Sequence, residues 1–375
     1  MRVARCMNRA DRVTEALRLS ETLLENEEAL NAVQLLMLPA LVQSDSLSGS
    51  EQDYFRRLLQ KRIERAEESG ARQSAATAHY NLGNHLRRSP HRRAALHHYR
   101  KAAEYDPGYV ERGYFWRELA GILFKSGRYS LAARFYERAI SLGEEGLCRA
   151  LHADVLMFAG RYRKSQEALD AYIASAPDAA SEWRLKAWVL RVVRQAIGCD
   201  EQKRQTAAAI ALANPDIASP PNEQKQQLEE ALRHDALCAL ALFNLGVLES
   251  QTGNKSNAFC SFLAAALTQR GDVEAWCNAM ALAISLKDYH VLVPHIIQVA
   301  YSANGEDFSE QVVRFAQSQA EGFPVTAFVD AVDAVLSHCP REHRTVEMRL
   351  LGKGSEFKVI NLTPPVIRKE EDEGS

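Results

Sequence analysis

Between residues 76 and 290, apolar side chains recur at spacings of three and four, and glycine or alanine stands at set places among them. In the stretch 78–108, AHYNLGNHLRRSPHRRAALHHYRKAAEYDPG, the small residues Gly83, Ala95 and Ala102 share helical faces with Leu82, Leu86, Leu96 and Tyr99. A helix approaches its neighbour closely only where a small side chain meets a large one. The pattern therefore predicts helix pairs stacked side by side.

Counted from Ala76, Leu82 and Gly83 fall at places seven and eight, Leu86 at eleven, Ala95 at twenty, Tyr99 at twenty-four, Ala102 at twenty-seven and Pro107 at thirty-two. A unit from Gly113 repeats the scheme with Trp116, Leu119, Ala120, Leu123, Gly127, Tyr129, Ala132, Tyr136 and Ala139. One from Gly146 supplies Ala153, Leu156, Gly160, Tyr162, Ser165, Leu169 and Pro177. Ala239 opens another with Leu242, Leu245, Gly246, Gly253, Ala258, Phe262 and Ala265, and Val273 a further one with Trp276 and Tyr289. Trp116, Trp183 and Trp276 occupy the same repeat place.

Units of about 34 residues with these small and large positions resemble the tetratricopeptide repeat, TPR. The resemblance covers residues 76 to 290. It implies an all-α, right-handed α-solenoid, a superhelix of helix-turn-helix repeats, while strand-like alternation is too scarce for an all-β or α/β class.

The phase weakens on both sides. Residues 1–75 read as degenerate helical repeats, with helices over 12–25, 28–42 and 51–69. The chain enters in the second helix of a repeat, which fits either a degenerate cap or a piece of a longer protein. Residues 76–217 form the array proper. Lys186 stands where an apolar residue belongs, and the loop NPDIASPPN leaves an odd number of helices between Ala180 and Ala239, placing a boundary near 218. A second array occupies 218–350, where Pro294 and Pro324 stand near helix starts. Residues 351–375 read as an extended or disordered acidic tail with a short alternating segment.

Composition adds exclusions. A net charge of -2 over 375 residues gives no global attraction to nucleic acid or membrane, so electrostatic binding has to come from local segregation of charge. The 7 cysteines are scattered without a CxxC pair, as expected of reduced core residues. Neither a secretion signal nor about 18 successive apolar residues occurs, which points to a cytoplasmic protein. The stretch LGKGS lacks the upstream glycine of a phosphate loop, Glu347 standing there instead, and no hydrolase, zinc-protease or dinucleotide motif is found. Adjacent His97 and His98 point about 100° apart on a helix and make a poor metal pair. No catalysis, cofactor or metal is expected.

In the TPR family the first helix of each pair lines the concave side, and the resemblance carries its groove places onto this chain. They give Tyr80, Asn84, Arg87 and Arg88, then Arg117, Phe124 and Lys125, then Arg184, Trp188 and Arg191 as partner-binding residues. Six of these ten are basic, Arg88 among them, with aromatic rings interleaved, a combination suited to an acidic or extended segment of another protein. The implied role is a protein-binding scaffold or adaptor. Two alternatives stay open: a regulatory or substrate-recruiting TPR segment of a larger enzyme or secretion assembly, and nucleic-acid contact through the basic run 87–101. The clamp that some relatives use for chaperone tails is not reproduced, since Tyr80 stands where its lysine would and only Asn84 matches. Downstream, Leu240, Phe243 and Val247 make an apolar stretch that either meets a hydrophobic partner segment or receives the chain's own C-terminal part, including Phe357, Val359 and Ile360.

Overall fold

Small residues set where helices meet. In the computed structural model, a Cβ added to Gly83 would lie 3.2 Å from the Tyr99 ring, and one added to Gly246 would lie 3.0 Å from Phe262. Both glycines sit inside helices, where glycine costs about 1 kcal/mol relative to alanine, so closeness to the facing ring is what each position gains. The structure describes residues 49–87, 91–176, 178–304, 312, 315, 347–351 and 357–361. The expected helices over 12–25 and 28–42, the segment around Pro324 and the end of the tail lie outside these residues.

Fourteen α-helices run through the described residues in chain order. They are α1 (Gly49–Glu68), α2 (Arg72–Leu86), α3 (Arg92–Tyr105), α4 (Gly113–Lys125), α5 (Tyr129–Ser141), α6 (Leu147–Phe158) and α7 (Tyr162–Ser175), followed by α8 (Ser181–Ile197), α9 (Thr206–Leu212), α10 (Pro221–His234), α11 (Ala239–Gln251), α12 (Lys255–Thr268), α13 (Val273–Ser285) and α14 (Val293–Asn304). Short 3-10 turns, Pro107–Glu111 and Lys287–Leu292, precede α4 and α14. Helices α2 with α3, α4 with α5, and α11 with α12 form the best-packed pairs, matching the sequence units. The architecture is an all-α array of helical pairs. Near the C terminus the strands β1 (Glu347–Leu351) and β2 (Phe357–Asn361) pair antiparallel, with Arg349 opposite Val359, so the alternating part of the tail is a hairpin strand.

The tryptophans explain their shared place. Trp116 donates its indole N–H to the Val110 carbonyl at 2.8 Å, and Trp276 donates to the Arg270 carbonyl at 2.9 Å. Each bond reaches six residues back and fixes the entry into a first helix.

The chain divides into two compact units, Met1–Leu151 and His152–Ser375. The division falls within α6, upstream of the proline-rich loop near 218. In the first unit, Phe55, Leu59, Leu82, Tyr99, Phe115 and Ile122 make a continuous core, each large side chain contributing roughly 1.5–3 kcal/mol by leaving water.

The second unit departs from neighbour-only stacking. Between α7 and α11 stand three helices, α8, the short α9 and α10, and α8 also packs against α12 and α14. Ser181 Oγ donates to Gln298 Oε1 at 2.5 Å and shares a 2.7 Å hydrogen bond with His295 Nδ1. The segment before α9 is fixed at a left-handed glycine. Gly160 has φ +75° and its carbonyl accepts from Gln202 N at 2.8 Å, while a Cβ there would collide with the Gln202 carbonyl. Arg204 then clasps the fully buried Asp235 with Nε at 2.6 Å and Nη2 at 3.1 Å.

Candidate functional site: the inner helices

Helix α2 and the αR residue Arg87 that caps its C-terminal end place Thr77, Tyr80, Asn84 and Arg87 on one stripe by a spacing of three and four, and α4 does the same for Tyr114, Arg117, Gly121 and Phe124. Two layers result in the first unit. One is aromatic. Tyr80 stacks on Tyr109 at 5.2 Å and meets Tyr114 edge-on at 5.5 Å. Burial raises the Tyr80 hydroxyl above its ordinary value, and Asn84 hydrogen-bonds it. Asn84 also accepts from the Tyr99 hydroxyl at 2.6 Å and is itself buried, so this residue serves packing rather than an open surface.

The other layer is ionic. Arg87 pairs with Glu118. Arg117 bonds Glu118 at 3.1 Å and Glu144 at 2.5 Å. The chain Arg87, Glu118, Arg117, Glu144 links α2, α4 and the turn before α6 with two charges of each sign. The strongly positive wall implied by the groove places is thereby corrected for this stretch, because the counted positions omit Glu118 and Glu144, which lie beside them. Glu118 is 8% exposed, and its partners hold it in place. Lys125 is exposed at the C-terminal end of α4, where its carbonyl accepts from Arg92 at 2.7 Å, and Phe124 meets Tyr129 edge-on at 5.5 Å. Arg88 lies outside the described residues.

The remaining three candidates belong to the second unit. Arg191 pairs with Asp170 at 2.6 Å. Arg184 bonds the Ala179 carbonyl at 3.3 Å. The Trp188 ring packs on Phe259 and Tyr289 at 5.6 and 5.9 Å and is half-buried. The misfit at Lys186 has a local reason. Its ammonium, 2% exposed, reaches Asp154 Oδ1 at 2.6 Å and Glu182 Oε1 at 2.7 Å, and Glu182 continues to Arg270 at 3.3 Å. Burial pushes the Asp154 carboxyl up, against the pull of Lys186. This neutral four-charge cluster joins α6, α8 and the turn after α12.

A histidine chain joins the first three helices. Tyr105 donates to Glu67 Oε1 at 2.6 Å, His79 Nε2 lies 3.3 Å from the same oxygen, and His79 Nδ1 lies 2.9 Å from His98 Nδ1. With Nε2–H directed at the carboxylate, His79 accepts through Nδ1 and His98 donates. Among the described residues no group of three metal-ligating side chains is arranged to hold an ion, and no helix is long and apolar enough to cross a membrane.

A family model described as tetratricopeptide repeat matches residues 80–146, 151–196 and 225–274. No curated protein matches the sequence. Among solved structures, similarity extends to YrrB, described as a TPR protein with an unusual peptide-binding site, at 16% identity, TM-score 0.24, covering 68% of this chain and 98% of that one. It extends to pilF of Pseudomonas aeruginosa at 14% identity, TM-score 0.30, covering 69% and 97%. The C-terminal part of a TPR repeat-containing protein of Cytophaga hutchinsonii matches at 11% identity, TM-score 0.29, covering 68% and 92%.

Proposed function

Because this chain belongs to the tetratricopeptide repeat family, whose repeats are protein-interaction modules, we propose that it is a scaffold that docks an extended segment of another protein on the α2 and α4 face of its first unit. The observation that carries this reading is the pairing of a tyrosine shelf, the half-buried Tyr80 and Tyr114 resting on buried Tyr109, with an ion chain that is half-exposed at Arg117 and followed by exposed Lys125. Gly121 supports it. A Cβ there would meet only the Tyr136 hydroxyl, at 3.8 Å. Unlike Gly83 and Gly246, this helix-interior glycine is not demanded by packing, and it leaves a notch where a ligand backbone fits closely.

An acidic group on the partner would share Arg117 with Glu144 and meet Lys125 directly, while the tyrosines cover its apolar side chains. The ion chain is neutral overall, so affinity has to come from both layers, with charge contributing orientation and on-rate.

The test uses fluorescein-labelled twelve-residue peptides of alternating glutamate and leucine, against a glutamine and leucine control, read by anisotropy on the full chain. The expected result is tighter binding of the acidic peptide, weakened about tenfold by Lys125→Glu together with Arg117→Gln, in line with about 1.4 kcal/mol per tenfold. Equal binding of the two peptides, or no effect of the double substitution, removes the reading.

A further inference from the structure

The basic run 87–101 does not act as one patch. Arg87 is held by Glu118, and Arg100 and Lys101 share Glu104 at 3.3 and 3.0 Å. Arg112 is matched by Asp106 at 3.1 Å. What remains is a cluster where the start of α3 meets the end of α4. Arg92 Nη1 donates to the Lys125 carbonyl at 2.7 Å, and the turn after α4 folds back through Arg128 N, which donates to the Leu123 carbonyl at 2.9 Å. Arg92, Arg93, Lys125 and Arg128 are thereby brought to one edge of the first unit. The last three are exposed, and none of the four pairs with a carboxylate among the described residues.

The neighbouring sequence offers no carboxylate either. Residues 69–103 hold seven lysines and arginines without one aspartate or glutamate, and residues 119–136 hold three, again without an acid. Fold stability gives no reason for this charge. Helix α3 opens on Arg92 and Arg93, Arg128 immediately precedes α5, and neither helix has an acidic residue in its first turn. A cation at a helix start works against the helix dipole.

Three of the four cations are arginines, whose planar fork holds two oxygens of one phosphate. Two half-buried rings accompany them, Phe124 next to Lys125 and Tyr129 next to Arg128, edge-on to each other at 5.5 Å. Cations that track a backbone, with aromatic rings on which bases stack, are the combination that single-stranded nucleic acid requires. An acidic peptide would use the cations alone. A lipid surface would call for large apolar side chains to insert, and among the described residues of α3, α4 and α5 only Leu131, 40% exposed, is of that kind.

We propose that this edge binds single-stranded nucleic acid, with Arg92, Arg93, Lys125 and Arg128 on phosphates and the Phe124 and Tyr129 rings against bases. The assignment goes beyond the peptide reading and shares only Lys125 with it.

The test compares three fluorescein-labelled probes by anisotropy on the full chain: a twelve-nucleotide oligothymidylate, an abasic strand of equal length and a twelve-residue polyglutamate. Four phosphate contacts on a single strand give a log–log salt slope of about -2.8, so oligothymidylate binding should weaken about 50-fold between roughly 50 and 200 mM salt. Arg93→Gln with Arg128→Gln should weaken it about tenfold at the lower salt and halve the slope, whereas Arg93→Lys with Arg128→Lys should keep the slope. The abasic strand should bind about tenfold more weakly for want of stacking, and polyglutamate more weakly than oligothymidylate. A slope less than half the expected value, indifference to the glutamine pair, or equal binding of the three probes overturns the proposal. Neither Arg93 nor Arg128 enters the peptide test on the α2 and α4 face, so the two readings fail independently.

Discussion

Replacing Lys186 by methionine keeps the side chain's length and removes its charge. Asp154 and Glu182 then lose the ammonium that lies 2.6 and 2.7 Å away, and Asp154, 7% exposed, has no other cation at that distance among the described residues. Breaking a buried pair from one side costs about 3–5 kcal/mol, because a carboxylate stays behind without solvent or partner. Arg270 compensates Glu182 in part at 3.3 Å, which puts the expected loss at the lower end, about 3 kcal/mol. For a unit of this size that corresponds to a fall in Tm of roughly 6–12 °C. Urea unfolding followed by far-UV circular dichroism measures it. The double variant Lys186→Met with Asp154→Leu should recover to within about 1 kcal/mol of the parent, giving a coupling of at least about 2 kcal/mol once the loss of the Asp154→Leu single variant is also subtracted. The pH dependence has a definite sign. Burial already raises the Asp154 carboxyl in the folded chain, and losing Lys186 raises it further, so the folded form holds a proton that the unfolded form releases. The deficit of Lys186→Met should therefore shrink as pH falls from neutrality toward the ordinary carboxylate value of about 3.9. A single-variant loss under about 1 kcal/mol, or strictly additive losses in the double variant, would refute the reasoning.

The helix-interior glycines should respond in opposite directions. Gly83→Val, driven into the Tyr99 ring, should lower stability by about 1–3 kcal/mol as an overpacked site, whereas Gly121→Ala should raise it by up to about 1 kcal/mol; thermal melts of both variants decide. His79 and His98 are held below the ordinary histidine value mainly by burial, His98 at about 4. The unfolded chain thus binds more protons between pH 6.5 and 4, and stability conferred by the neutral pair should be lost across that window as pH falls. His98→Gln should reduce the loss across this window by about 1 kcal/mol, the part-exposed ring being screened by solvent, as followed by Tm against pH.

The helical pairs were legible because close packing leaves a strict trace in residue size, as with Gly83 against Tyr99 and Gly246 against Phe262. Tryptophan at the fourth place was readable too, though its bond to a carbonyl six residues back was not. The odd helix count after Ala180 followed from the proline loop, and α10 does begin at Pro221. Surface electrostatics were less accessible. Arg87 and Arg117 occupy inner-face places by periodicity, but their partners Glu118 and Glu144 sit one place off the stripe and in a turn, where only the fold brings them within reach. Trp188 occupies an inner-face place as well, yet the rings it packs on, at residues 259 and 289, lie far along the chain. Lys186 was visible as a misfit, and only the position of Asp154 on the preceding helix pair gives the reason.

The packing of α8 against α14 has a kinetic meaning. In arrays where each repeat touches only its neighbours, folding can start anywhere and spread. Here Ser181 has to meet residues 114 and 117 positions later, so a long loop must close before that interface returns any energy. The second unit should consequently assemble late and as a whole, and a ribosome-bound chain that stops short of His295 would still have the start of α8 uncovered.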